Sequence, residues 1–174
     1  MKKLARNIQN LSKPVIAEVD GIATAAGCQL VATCDLAYSS NRAKFSTPGV
    51  NIGLFCSTPM VAVSRNVSRK RTMEMLLMGD FINANKALAF GLINNVVKDE
   101  KLKDETLKIA KNIATKSTAT VAIGKEAFYK QLEMGLEDAY AYTSKVMSSN
   151  MLEKDAQEGI SAFIENRDPI WSDK

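Results

Sequence analysis

The alternation of apolar and polar positions divides the chain into a mixed first half and a helical second half. Leu4, Ile8 and Leu11 recur at near-helical spacing, so residues 2–11 read as the end of a helix that Lys13-Pro14 stops. Val15-Ile16-Ala17-Glu18-Val19 is a β-type run, and an Asp20-Gly21 turn signal follows it. Beyond a patch of very small side chains, an apolar helix is predicted over about 26–34. Leu36–Ser39 and Lys44–Ser46 read as short strands around an Asn41-Arg42-Ala43 turn. Strand, helix, strand in that order argues for an α/β unit with a right-handed crossover.

Residues 47–57 hold two glycines and a proline and read as a loop of the kind that often carries function, or as a plain surface connection. Thr58-Pro59 reads as an N-cap and first helical position, with the helix running to about Asn66. Ser68 is placed as the cap of the next helix, with Met73, Leu76 and Leu77 inward and Gly79-Asp80 at its end. Asn83 caps a short helix, Ala84–Phe90, that stops at Gly91. Ile93–Val97 is a short strand. Helices are then expected over 101–116, 119–134, 136–151 and 153–166, with Trp171 left in a tail after Asp168-Pro169. The methionines read as core or helix-interface filler. The apolar stripes of 136–166 come after the α/β core is complete, which suggests a subunit interface.

The stretch around which the rest is organised is Ala23-Thr24-Ala25-Ala26-Gly27, between a strand and a helix start. Small side chains let another group approach the backbone. A helix start leaves its first amides without intrahelical acceptors. Together they suit a carbonyl oxygen or an anion. The same pattern also suits a crowded strand-to-helix packing junction.

Composition narrows the chemistry. At 174 residues the chain is long enough for a domain with a real core. With 46% apolar and 24% charged residues it has the make-up of an ordinary globular protein. The net charge of +4 is mild, and Arg69-Lys70-Arg71, the densest basic cluster, reads as a solvated helix start. No apolar run reaches the ~18 residues of a membrane span, and the first residues show neither signal nor transit peptide. Three cysteines without a close pair speak against zinc or redox chemistry; Cys28 and Cys34 read as small buried hydrophobes. The chain has no histidine, which removes Ser-His and Cys-His nucleophile pairs and the commonest metal ligand. Acid–base work would fall to carboxylates, Lys, Tyr, Cys or bound water.

Three stretches carry a resemblance. Pro14 to Leu30 with Cys34-Asp35-Leu36-Ala37 and Ala43 to Leu54, then Met75 to Val97, then Gly159 to Arg167, look like the signature of the enoyl-CoA hydratase/isomerase (crotonase) family. The resemblance covers nearly the whole chain. It implies an α/β crotonase (ClpP-like) spiral of ββα units, truncated at the N-terminus: residues 1–116 as a partial spiral core, 117–174 as a C-terminal helical trimerisation region. It implies an acyl-CoA thioester as substrate or ligand, no resident cofactor or metal, a homotrimer or homohexamer, and no membrane or nucleic-acid partner. The residues resemble a mitochondrial member best, so the mitochondrion is the expected compartment, with the cytoplasm as the alternative.

Residue by residue, the resemblance assigns one oxyanion-hole N–H to Ala26, where relatives usually have Gly. The family's two glutamates fall at Gln29 and Gly49, which carry no carboxylate. The acyl-CoA wall falls to Ala23, Ala25, Leu54 and Cys56, with Phe163 reaching a neighbouring subunit's site. The front part that supplies the other oxyanion N–H and much of the CoA pocket lies before the family position at which this chain begins. A basic residue frequent three positions after Phe163 is Asn166 here; Arg167 is the nearest charge. Cys56 and Ser57 are candidate substitute groups, or inert lining. The resulting expectation is an acyl-CoA-binding protein of fatty-acid metabolism with impaired hydratase chemistry. The alternatives are an active hydratase or isomerase on an unidentified acyl-CoA, and an RNA-binding crotonase relative.

Overall fold

In the computed structural model, residues 2–172 are described. The elements run α1 (Lys2–Asn10), β1 (Ile16–Val19), β2 (Ile22–Thr24), α2 (Ala26–Thr33), β3 (Leu36–Ser40), β4 (Lys44–Ser46), α3 (Ser57–Val63), α4 (Arg69–Met78), β5 (Ile82–Asn83), α5 (Ala84–Phe90), β6 (Asn95–Val97), α6 (Leu102–Ala114), α7 (Thr118–Gln131), α8 (Leu136–Asn150) and α9 (Lys154–Ile164). Short 3-10 turns cover Pro48–Ile52 and Asp99–Lys101. The chain divides into two compact units: one holds the residues up to Ile8 with Val15–Ala110, the other Gln9–Pro14 with the residues from Lys111 onward.

In the first unit the strands are divided between two three-stranded sheets, alternating from β1 to β4. β1, β3 and β6 form one, all parallel, with Ile16 opposite Leu36 and Tyr38 opposite Asn95. In the other, β2 pairs parallel with β4, and β4 pairs antiparallel with β5. The switch from one sheet to the other is made at corners. Gly21 takes φ 139°, which a side chain rarely tolerates, so the chain bends sharply after only four strand residues. At that corner Asp20 receives Arg42 from the β3–β4 turn in a two-pronged ion pair, with Nε–Oδ1 at 2.7 Å. Asp35 and Asn94 do the same work between strands of the first sheet: the Asp35 carboxylate accepts Val15 N–H, and Asn94 Oδ1 accepts Ala37 N–H. The core is made of Cys28 and Val31 from α2, Phe45 from β4, Val63 from α3, Met75 from α4 and Ala87 from α5, all buried.

Several expectations change. Ile22–Thr24, read as leading into the small-residue patch, is a strand, because its partner β4 satisfies its backbone. The helix placed from Thr58 starts at Ser57 and ends at Val63. On α4 it is Met75 and Leu76 that are buried; Met73 and Leu77 are exposed. Ser68 stands at the α4 N-cap without a side-chain bond, whereas Asn83 Oδ1 accepts Lys86 N–H at 2.8 Å as its cap position requires. Cys28 is fully buried but Cys34 only half so. Of the described methionines, only Met75 is buried; Met60 is half-buried, and Met73, Met78, Met134, Met147 and Met151 are exposed.

The second unit is helical. Within it α7 packs on α8 and α9. Its surface carries large exposed apolar side chains, among them Leu136, Tyr140, Met147, Leu152, Phe163 and Ile164. No helix among the described residues is long and apolar enough to cross a membrane.

Candidate functional site

The small-residue stretch folds into the junction between β2 and α2. Ala23 is buried in β2; Ala25 stands just before the helix at φ 44°, ψ −108°, a conformation L-residues avoid. What holds it is local. Its N–H donates to Ser46 O at 2.9 Å, at the end of β4, and its own carbonyl accepts Gln29 N–H at 2.9 Å, the first bond of the helix. Such a conformation stores about 1–3 kcal/mol. Ala25→Gly is expected to raise the melting temperature by a few degrees, because relieved strain outweighs the roughly 0.5–1 kcal/mol that glycine adds to the entropy cost. A lower melting temperature would count against strain here.

The bend turns Ala26 outward. It is the first residue of α2, it is exposed, and no acceptor among the described residues takes its N–H. Nor does any side chain cap this helix start, and its first turn has no acidic residue. An open amide at the positive end of a helix suits a carbonyl oxygen that gains negative charge.

One turn on, Gln29 faces inward and is 5% exposed. Its main-chain oxygen accepts Thr33 Oγ1 at 2.7 Å, but its side-chain Oε1 has no hydrogen-bond partner among the described residues. A buried orphan acceptor is costly and calls for a donor from outside the chain, such as water or ligand. Thr47, fully buried where β4 ends, has an orphan Oγ1 as well.

Gly49 lies in the 3-10 turn after Thr47. The segment closes on itself: Leu54 N–H donates to Gly49 O at 3.0 Å, and Gly49 N–H donates to Cys56 Sγ at 3.3 Å. A Cβ at position 49 would lie 2.8 Å from Leu54 O and 2.9 Å from Cys56 Sγ. The thiol and a main-chain carbonyl therefore fill the space that a side chain would need. Cys56 is buried, whereas Leu54 and Phe55 beside it are exposed. Ser57 Oγ turns back to Phe55 O at 3.2 Å. Burial pushes the Cys28 thiol up to about 12, and the neighbouring Cys56 adds to the rise. Cys56 stands just before α3, and α2 packs closely on α3, so α2 and the Gly49–Cys56 turn lie in one neighbourhood.

Phe163 belongs to the helical unit, on α9, and is 87% exposed. Arg167 is engaged: its guanidinium forks onto Glu158 at 2.6 and 3.0 Å and also donates to Glu165. The orphan oxygens of Gln29 and Thr47 were not evident as a feature of the sequence, where a polar residue in an apolar helix is the only hint.

Strands divided between two sheets, with helices between and a helical region after, make this a crotonase fold. The chain belongs to the enoyl-CoA hydratase/isomerase family, whose model matches residues 1–174. Among known proteins it is 54% identical over 170 residues to enoyl-CoA hydratase domain-containing protein 3, mitochondrial, of Xenopus laevis, covering 98% of this chain and 58% of the relative. It is 51% identical over 170 residues to the Homo sapiens protein of that name, covering 98% and 56%. The chain thus spans little more than half the length of these curated relatives. Among solved structures, an enoyl-CoA hydratase of Mycobacterium smegmatis superposes with a TM-score of 0.96 at 50% identity, covering 98% of this chain and 66% of that one. Human enoyl coenzyme A hydratase domain-containing protein 3 gives 0.94 at 51%, covering 98% and 67%.

Proposed function

We propose that this chain binds acyl-CoA through the open amide of Ala26 and lacks the carboxylates needed to hydrate an enoyl thioester. The observation that carries this reading is the closed turn at Gly49, where Cys56 Sγ and Leu54 O leave no room for the side chain that the family's second glutamate would need. The first glutamate's position holds Gln29, an amide that can orient water but cannot take up a proton at neutral pH. General acid–base groups are worth about 10²–10⁴-fold each, so hydration without both is slow. Ala23, Ala25, Leu54 and Cys56 then serve as thioester wall, and Phe163 as a contact to the ligand of a neighbouring subunit. The exposed apolar side chains of α8 and α9 suit a homotrimer or homohexamer. The names of the relatives place them in mitochondria, and the reading for this chain is the same compartment and a part in fatty-acid metabolism.

A second reading, an active hydratase or isomerase on an unidentified acyl-CoA, draws on that same exposed amide, since isomerisation needs oxyanion stabilisation more than two carboxylates.

The test replaces Ala26 by its α-hydroxy acid analogue, which turns one N–H into an ester oxygen and keeps the side chain. Crotonyl-CoA binding, followed by calorimetry, is expected to weaken about 2- to 10-fold, the worth of one net hydrogen bond. Unchanged affinity would remove Ala26 from the site.

A further inference from the structure

The start of α2 offers more than one donor. Ala26 N–H is open at the first position of the helix, and Gln29 stands three residues on, on the same face. Gln29 is 5% exposed, yet neither end of its carboxamide has a hydrogen-bond partner among the described residues. The two ends differ. Oε1 is sealed from solvent, whereas Nε2 is not. The amide therefore meets whatever enters the site with its N–H groups. Long side chains in a helix lean back toward its N-terminus, which brings this donor toward the Ala26 amide. A polar side chain buried to this depth without a partner is costly, and an acceptor that reaches Nε2 lowers the cost.

The charge of the surroundings has one sign. The first turn of α2 has no acidic residue and no side-chain cap, so the positive end of the helix is uncompensated. None of Ala23, Ala25, Thr47, Gly49 and Cys56 carries a carboxylate, and the chain has a net charge of +4. Where the resemblance places a glutamate, which accepts hydrogen bonds, this chain presents an amide donor.

We infer that Gln29 Nε2 and Ala26 N–H together hold two oxygens of one acyl group, and that the ligand is an acyl-CoA whose acyl chain carries a carboxylate. The carboxylate lies on Gln29 and the thioester oxygen on Ala26. This rests on the acyl-CoA reading above and narrows it to one class of acyl group. Positions 26 and 29 are separated by about 4.5 Å along the helix axis, so oxygens on carbons 1 and 3 of a short acyl chain reach both donors. A plain alkyl chain leaves Nε2 unpaired and gains nothing from the helix end. An anion gains from both.

The test uses two thioesters of nearly equal shape: malonyl-CoA, which ends in a carboxylate, and isovaleryl-CoA, which has two methyl groups in its place. Calorimetric titration of the whole chain is expected to show malonyl-CoA binding about 10- to 100-fold tighter, the worth of a hydrogen bond to a charged group. Gln29→Met keeps the length of the side chain and removes both donors. In that variant the preference is expected to fall to about 2- to 5-fold, which the helix end alone supplies, with isovaleryl-CoA bound as in the parent. Should Gln29→Met not fold, the side-chain amide protons of Gln29 in the parent decide: malonyl-CoA is expected to shift their resonances downfield, and isovaleryl-CoA is not. Equal affinities in the parent, a preference that survives Gln29→Met unchanged, or amide resonances that respond alike to both thioesters would overturn the inference and leave acyl-CoA binding standing. Binding of neither thioester would overturn the acyl-CoA reading with it.

Discussion

Gly49→Glu is expected to destabilise the protein and to give no hydration, although it puts a carboxylate where the proposed reading places the family's second glutamate. The Cβ alone would lie 2.8 Å from Leu54 O and 2.9 Å from Cys56 Sγ, so the turn must open before a carboxylate is placed at all. Overpacking of this kind costs about 1–3 kcal/mol, and for a chain of this size each kcal/mol lowers the melting temperature by about 2–4 °C. Gly49→Ala should show most of the same loss, because the clash begins at Cβ. Adding Cys56→Ala to Gly49→Glu should return only part of it, because the Leu54 carbonyl is main chain and stays. Thermal melts of the three variants check this. Parental stability in Gly49→Glu would mean that the turn is open in solution and that the position is free for a side chain.

Gln29→Glu tests the other position and makes stability depend on pH. The side chain is 95% buried by the measure of its 5% exposure, and its Oε1 has no partner among the described residues. A carboxylate there is favoured in its protonated form, so its folded-state pKa rises above the unfolded value of roughly 4.3. The sign follows: the folded state then binds more protons than the unfolded, and stability is lost as pH rises through and above the unfolded pKa. Each unit of rise costs about 1.4 kcal/mol at neutral pH, so a two-unit rise costs about 3 kcal/mol. Urea unfolding at pH 4 should give near-parental stability, and at pH 7 a much lower midpoint. Equal midpoints at both pH values would show that water or an unseen donor solvates the position.

Much of the first unit was legible because its cues are local. Gly91 after Phe90 and Asn83 before Ala84 mark element ends through φ restriction and capping, which no distant contact overrides. Strand β2 was not, because three residues carry too little alternation; only pairing with β4 makes Ile22–Thr24 a strand. Met73 and Leu77 were misplaced for a related reason. On α4 the arc that faces the core is set by what packs against it, and periodicity alone fits Met73-Leu76-Leu77 as well as Met75-Leu76. At the site, residue types were readable but their setting was not. Sequence identifies Gly49 and Cys56, seven positions apart, yet not that the thiol occupies the space over the glycine. It identifies Trp171 as a tail residue, yet not the bond to Thr115 that docks it. Both are closures that only the folded chain reveals, one across a tight turn and one across 56 positions.

The central claim is binding without hydration, and crotonyl-CoA tests both halves in one sample. A calorimetric titration run beside the absorbance of the enoyl thioester should show saturable binding while the absorbance stays constant. Rapid loss of that absorbance, or no heat of binding at all, would contradict it.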